Sequence, residues 1–454
     1  MLPPEIVEVV LRQGCFNSSP QEISSLLRTS CLVCQTWKSI AQPLLFSEQP
    51  LSRSIQQRTP SRFVTGLVKY PHLRPYVKCV WFCYDWISAE YLLAELLPRV
   101  QEFTIQGQRY PIDPPLAVLA LLQKLPVAAL SSGLLTRLCL TEVLDFPVQV
   151  FYHCPTLCEL LIEDSTFVGF SLETGGIHNL YNGNGDNHVA CLRPAGANIA
   201  HDLADCKRPR LRSLSIENSG PIDDSEDIDT DLWILLWLTH SECAFDFGSL
   251  QSLHFKALAC QGPALTALIS KLFDVVFPSL RHLSWTFPEP NLVIYYPYIA
   301  RRAPECLTAF ARASPKLLNL SRLTLAVKDY HGPLSSLPWI PDLLQHLPHP
   351  EKLQELIIPV TYNIPVCMEL VPYNWNRLGL FFSPERSSSK FPNLEMFQIG
   401  LYIRMKAQGI EKELRDFLAL TFSALNEKGI LHVVQAELPG YVYARDCWHY
   451  YKLH

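Results

Sequence analysis

One short pattern recurs along this chain: a leading aliphatic residue, two mostly polar residues, an apolar one, a further residue, then an apolar one again. It is plain in Leu135-Thr136-Arg137-Leu138-Cys139-Leu140, Leu157-Cys158-Glu159-Leu160-Leu161-Ile162, Leu211-Arg212-Ser213-Leu214-Ser215-Ile216 and Leu320-Ser321-Arg322-Leu323-Thr324-Leu325. It returns at Leu250-Gln251-Ser252-Leu253, Leu280-Arg281-His282-Leu283, Leu353-Gln354-Glu355-Leu356 and Leu394-Glu395-Met396-Phe397. Looser versions run from Leu73 to Trp81 and from Val100 to Ile105. A period of two predicts strands with one set of side chains in a core and the other on an exposed face. Between them lie segments with helical periodicity, at residues 116–125, 265–276, 306–313 and 412–425. Strand alternating with helix predicts an α/β fold with right-handed crossovers and a parallel sheet.

The first fifty residues follow a helical period instead. Pro3 and Pro4 suit a helix start, because proline presets φ and lacks an N–H that the first turn leaves unpaired. Glu5 adds negative charge where the helix dipole favours it. Ile6, Val9 and Val10 then make one apolar face, and Gly14 with Asn17-Ser18 ends the helix. Ser19-Pro20-Gln21-Glu22 forms a capping box for a second helix carrying Ile23, Leu26 and Leu27. A third presents Val33, Trp37, Ile40, Ala41 and Leu44, with Pro43 expected to kink or end it. Three helices in fifty residues make a small core, and the leftover apolar surface calls for a partner or the next domain.

Three pieces of this stretch carry a family resemblance: Leu2-Pro3-Pro4-Glu5-Ile6, then Cys31-Leu32-Val33-Cys34-Gln35-Thr36-Trp37, then Leu44-Leu45-Phe46. Residues 1–50 resemble an F-box, in the form common among fungal F-box proteins. The resemblance implies docking onto the Skp1 adaptor of a cullin-type ubiquitin ligase. It puts Leu2, Pro3, Ile6, Val10, Leu32, Val33, Trp37 and Ile40 at positions that shape the module's core and its Skp1-facing surface. The connection from Gly14 to Pro20 is longer and more polar than the family's tight one. The other reading is that these helices cap the following domain, as on many repeat proteins.

The recurring strand pattern is similar to the strand half of a leucine-rich repeat. The strands are about twenty to over fifty residues apart, against ~20–29 in a regular array. The asparagine expected after the strand is mostly missing, and Asn218 comes one place early. The resemblance therefore implies an irregular leucine-rich-repeat-like solenoid over residues 67–454, joined to the helices by a connecting segment at 51–66. The alternative is an unrelated α/β domain sharing the alternation. A loop-rich insertion spans about 164–209, and an acidic loop covers 221–231. The aromatic stretch from Tyr441 to Tyr451 reads as a closing cap, the alternative being an aromatic hot spot for a partner. Outward strand residues, Arg137, Glu159, Arg212, Arg281 and Arg322, are the expected substrate contacts.

Composition narrows the function classes. The 454 residues carry a net charge of -5, which argues against broad phosphate or nucleic-acid binding. No run of eighteen apolar residues predicts a membrane span. The N-terminus lacks a charged region followed by an apolar one, so no secretory signal is expected. The 15 cysteines are an odd count, and Cys79, Cys139 and Cys191 sit inside apolar runs. That is the usage of reduced thiols, and cytoplasm or nucleus is the expected compartment. Asp227-x-Asp229-x-Asp231 begins like a calcium loop, but Leu232 and Leu238 stand where glycine and glutamate are needed. Cys31-x-x-Cys34 has metal spacing without a second pair. No phosphate loop, nucleophile elbow or zinc-protease motif is present. No cofactor, metal or catalytic set is expected. The expected function is a non-catalytic substrate-recognition subunit of a Skp1–cullin–F-box ligase, acting in ubiquitin-dependent degradation. The alternatives are a repeat scaffold for protein–protein interaction without a ligase, and a hydrolase or transferase joining His, Asp and Ser from separate repeats.

Overall fold

The structure, a computed structural model, describes residues 3–16, 20–47, 67–83, 99–106, 134–143, 146–163, 165, 167–168, 208–217, 234–235, 237–239, 243–256, 263–276, 279–286, 317–329, 340–362, 371–383, 390–403 and 410–437. The connecting segment 51–66, the acidic loop, the segments 116–125 and 306–313, nearly all of the 164–209 insertion and the aromatic C-terminal end lie outside these residues. Contacts divide the chain into two compact units. One is Met1–Leu211 with Ala244–Asp246, and the other is Arg212–Cys243 with Phe247–His454.

The first unit begins with three helices: α1 (Pro4–Phe16), α2 (Pro20–Ser30) and α3 (Gln35–Ser47). Val7, Leu11 and Cys15, four residues apart, form the buried stripe of α1. They meet Leu27 of α2 and Ala41 and Leu44 of α3, with Ile23, Leu26, Trp37 and Ile40 packed half-buried around them. The expected helix stop at Gly14, and Pro43 as a helix end, are corrected here. α1 runs through Gly14 to Phe16, and a Cβ on Gly14 would stand 2.8 Å from Leu26 Cδ2. Gly14 thus serves close packing of α1 on α2 rather than a stop. Pro43 lies inside α3, which continues to Ser47.

After a 3-10 turn at Pro71–Tyr76 come β1 (Cys79–Cys83), β2 (Glu102–Gln106), β3 (Arg137–Thr141), the two-residue β4 (Phe146–Pro147) and β5 (Glu159–Glu163). β1, β2, β3 and β5 pair parallel in that order, and β4 pairs with β6 (Phe167–Val168). Leu73 belongs to the 3-10 turn, so the leading apolar position of the first strand falls to Val77, fully buried. Phe146, Phe151, Phe167 and Phe245 stack beneath, with Phe151 and Phe245 rings 4.8 Å apart.

The second unit continues the pattern. Its elements are β7 (Ser213–Glu217), β8 (Ser252–Lys256), α4 (Pro263–Val276), β9 (His282–Thr286), β10 (Arg322–Asp329), α5 (Ile340–Gln345), β11 (Glu355–Tyr362), α6 (Val371–Phe381), β12 (Met396–Ile403), α7 (Ile410–Thr421), α8 (Ser423–Glu427) and β13 (Leu431–Glu437). β7 to β13 pair parallel in chain order. Every patterned segment yields a strand, starting at the third residue of the pattern. β13 was not anticipated. It follows a Schellman ending of α8, in which Ile430 N donates to Leu425 O and Gly429 N to Asn426 O. Gly429 sits at φ +71, the left-handed region where glycine has no Cβ penalty.

The leading leucines explain why the strands align. Leu211, Leu250, Leu280, Leu320, Leu353 and Leu394 are all buried. Behind each from Leu250 onward, two successive amides donate to one carbonyl of the preceding strand start, as Gln251 and Ser252 do to Arg212 O. Side chains that precede the strands also bond carbonyls of the neighbouring segment. Ser279 Oγ donates to Leu250 O at 2.8 Å, Lys352 Nζ to Leu318 O at 2.6 Å, and Asn393 Nδ2 to Glu351 O at 2.7 Å. Strict alternation with an exposed second face is corrected for β10 and β11. Thr324, Ala326 and Ile357 are buried along with Leu323, Leu325, Leu356 and Ile358, so both faces are covered there.

Candidate functional site

The helical module has more apolar surface than its core can hold. Opposite the Val7–Leu11 stripe, Ile6, Val9 and Val10 of α1 stand exposed. The α2–α3 turn adds Val33 and Leu32, the latter 85% exposed. Leu32 N donates to Thr29 O and Val33 N to Ser30 O, so the turn holds these side chains on an ordered backbone. At the other end, Ile6 N and Val7 N both donate to Pro3 O, which fixes the first turn of α1. An exposed Glu8–Arg12 ion pair at 3.0 Å shares the helix surface. A solvated helix face ordinarily carries polar residues, so these exposed aliphatic side chains set the module apart.

Sequence reasoning grouped core and contact residues together, and the structure separates them. Pro3, Ile6, Val10, Leu32 and Val33 are exposed, Trp37 and Ile40 pack against the core, and Leu2 lies outside the described residues. Val9, which was not among them, is 63% exposed on the same face as Ile6 and Val10. Its spacing three residues from Ile6 was the available signal. Cys31 and Cys34 carry free thiols, and burial pushes Cys31 up, partly offset by the charge of Lys38.

The strand residues also sort into two kinds. Arg137 lies between two carboxylates, 3.6 Å from Glu102 and 3.7 Å from Glu159, its partners in strand register. Arg322 pairs with Glu355 across β10 and β11 at 3.3 Å. These are cross-strand ladders that stitch repeats together. Arg212 and Arg281 correct the expectation of an outward strand position. They hold the second position of the pattern, just before β7 and β9, and stand exposed without an ion pair among the described residues. Burial, then the neighbouring Glu102 carboxylate, push the Cys79 thiol up to about 11.

A polar group on the face of β7 to β9 went unnoticed in the sequence. His254 Nε2 lies 3.4 Å from Glu217 Oε1, both mostly buried, and Ser215 Oγ donates to the same carboxylate oxygen at 3.4 Å. Ser284 Oγ and Thr286 Oγ1 are buried without a hydrogen-bond partner among the described residues. Ser284 is the register partner of His254 and makes no hydrogen bond to it. Among the described residues, no group of three or more His, Cys, Asp or Glu is placed to hold a metal ion. No described helix is long and apolar enough to cross a membrane. The chain matches no protein-family model and no curated protein.

Proposed function

We propose that this chain is a substrate-recognition subunit of a Skp1–cullin–F-box ubiquitin ligase. The helical module docks onto Skp1, and the parallel strand array, a divergent leucine-rich-repeat-like solenoid, holds a protein destined for degradation. The chain makes no bond itself. It holds the substrate near a recruited conjugating enzyme, an effect of proximity. One observation carries the reading: the module buries Val7, Leu11, Leu27, Ala41 and Leu44 while leaving Ile6, Val9, Val10, Leu32 and Val33 in water. A module that only capped the strands would have little use for that second apolar surface.

The test is capture of purified Skp1 by the full chain. Val10→Asp and Leu32→Asp place a charge in the docking surface and leave the core alone, so the variants keep their native circular dichroism. Capture should fall about tenfold or more, as at an interface hot spot. Trp37→Ala is a poorer probe, because Trp37 packs on the core and its loss confounds folding with binding. A wild-type chain that fails to capture Skp1 rejects the ligase reading and leaves a scaffold.

A further inference from the structure

The second unit has an open groove of about 1070 Å³ at the start of β8 to β12. Its lining is polar nearly throughout, and most of that polarity is already used. Ser279, Lys352 and Asn393 donate to carbonyls of neighbouring repeats, and Glu351 lies 2.9 Å from His349. Two charged side chains in the lining are not used. Arg281 and Glu395 are both exposed, and neither has an ion pair among the described residues.

Their placement is fixed by the backbone. Arg281 N donates to Gln251 O, Ser321 N to Arg281 O, Gln354 N to Ser321 O, and Glu395 N to Gln354 O. Residues 251, 281, 321, 354 and 395 therefore stand in one row across five strand starts. Arg281 and Glu395 are three strand spacings apart, roughly 14 Å at the usual ~4.8 Å. In an extended peptide, side chains four residues apart share a face and lie roughly 13 Å from each other. Between the two charges the row offers Ser321 and Gln354, a hydroxyl and an amide that suit a polar backbone.

We infer that this groove binds an extended peptide carrying an acidic residue and, four residues away, a basic one, matched to Arg281 and Glu395. The inference rests on the ligase reading only for the peptide's role as a degradation signal. Arg137 and Arg322 take no part, because carboxylates of adjacent strands already occupy them. Arg212 extends the row by one more strand start, since Gln251 N donates to its carbonyl, and favours a second acidic residue beyond the first.

The probe is a pool of fluorescein-labelled decapeptides with Glu and Lys four residues apart and the other positions drawn from Ser, Thr, Asn and Gly. A second pool places the charges two residues apart. Anisotropy with the full chain should show saturable binding of the first pool. Arg281→Ala and Glu395→Ala should each weaken it about fivefold, the upper range for an exposed charge pair. The second pool should bind no better than those variants bind the first. Absence of saturable binding, equal binding of both pools, or variants indistinguishable from wild type would overturn the inference. Skp1 capture by Arg281→Ala should stay unchanged, so failure here and failure of the adaptor reading are separable.

Discussion

The helical module and the strand array expose opposite kinds of surface. In the module, α1 is apolar on two sides, one filling the core and one facing water. In the array, the leading leucines are buried and the row of Gln251, Arg281, Ser321, Gln354 and Glu395 is hydroxyl, amide and charged. The difference follows from what each region must satisfy. Strands in a parallel array bury their apolar side chains against neighbouring repeats, and their exposed positions ladder with charge pairs such as Arg137 with Glu102 and Glu159. A three-helix module has too little volume to bury every aliphatic residue it carries. Its surplus is thus left in water, whereas the array exposes a polar row at its strand starts.

The sharpest test of that contrast compares apolar residues of the two kinds. Phe397 lies against Phe382 and Phe422 with ring centroids 5.0 Å and 5.1 Å away, so Phe397→Ala should cost about 3–5 kcal/mol in urea unfolding. Leu32→Ala, at an exposed turn, should stay within about 0.5 kcal/mol. A comparable loss at Leu32 would mean that the turn is buried by the chain itself, and the docking surface would vanish. A smaller effect is expected at Arg137. Its two carboxylate contacts are half exposed, so each is worth about 0.2–1 kcal/mol, measurable in a double-mutant cycle with Glu102→Gln. A coupling near zero would return Arg137 to the pool of free, ligand-seeking charges.

The smallest effect concerns pH. Burial, then the charge of Arg322, hold the His282 imidazole below its ordinary pKa. The folded state disfavours the protonated ring more than the unfolded state does. The His282 contribution is therefore intact above the ordinary imidazole range and is lost as pH falls through the lowered value. Wild type should lose slightly more stability than His282→Gln between neutral and mildly acidic solution. Equal losses would show that the row around Arg322 and Glu355 does not sense this histidine.

Much of the array was legible beforehand. Each patterned segment became a strand because alternation of large aliphatic residues is a strong local signal. β13 escaped notice, although Gly429 was visible, because its apolar run follows a helix without a leading leucine. The module's helices were legible too, while Gly14 and Pro43 misled as helix ends. A glycine or proline reads as punctuation, but Gly14 answers to the neighbouring Leu26, and α3 passes through Pro43. Of the expected contact residues, the apolar ones divided by helix face and the charged ones by strand position. Neither division follows from residue type alone.

The sequence by itself determined that strands alternate with helices behind three N-terminal helices, since hydrophobic period is a property of neighbours along the chain. Only the tertiary structure decided that Val7 and not Ile6 faces the core, that Arg137 is held between two carboxylates, and that Arg281, beside a groove, has no ion pair among the described residues. Those outcomes depend on which residues of distant repeats come side by side. Burial and ion pairing are set across strands and helices, by partners that no local pattern names.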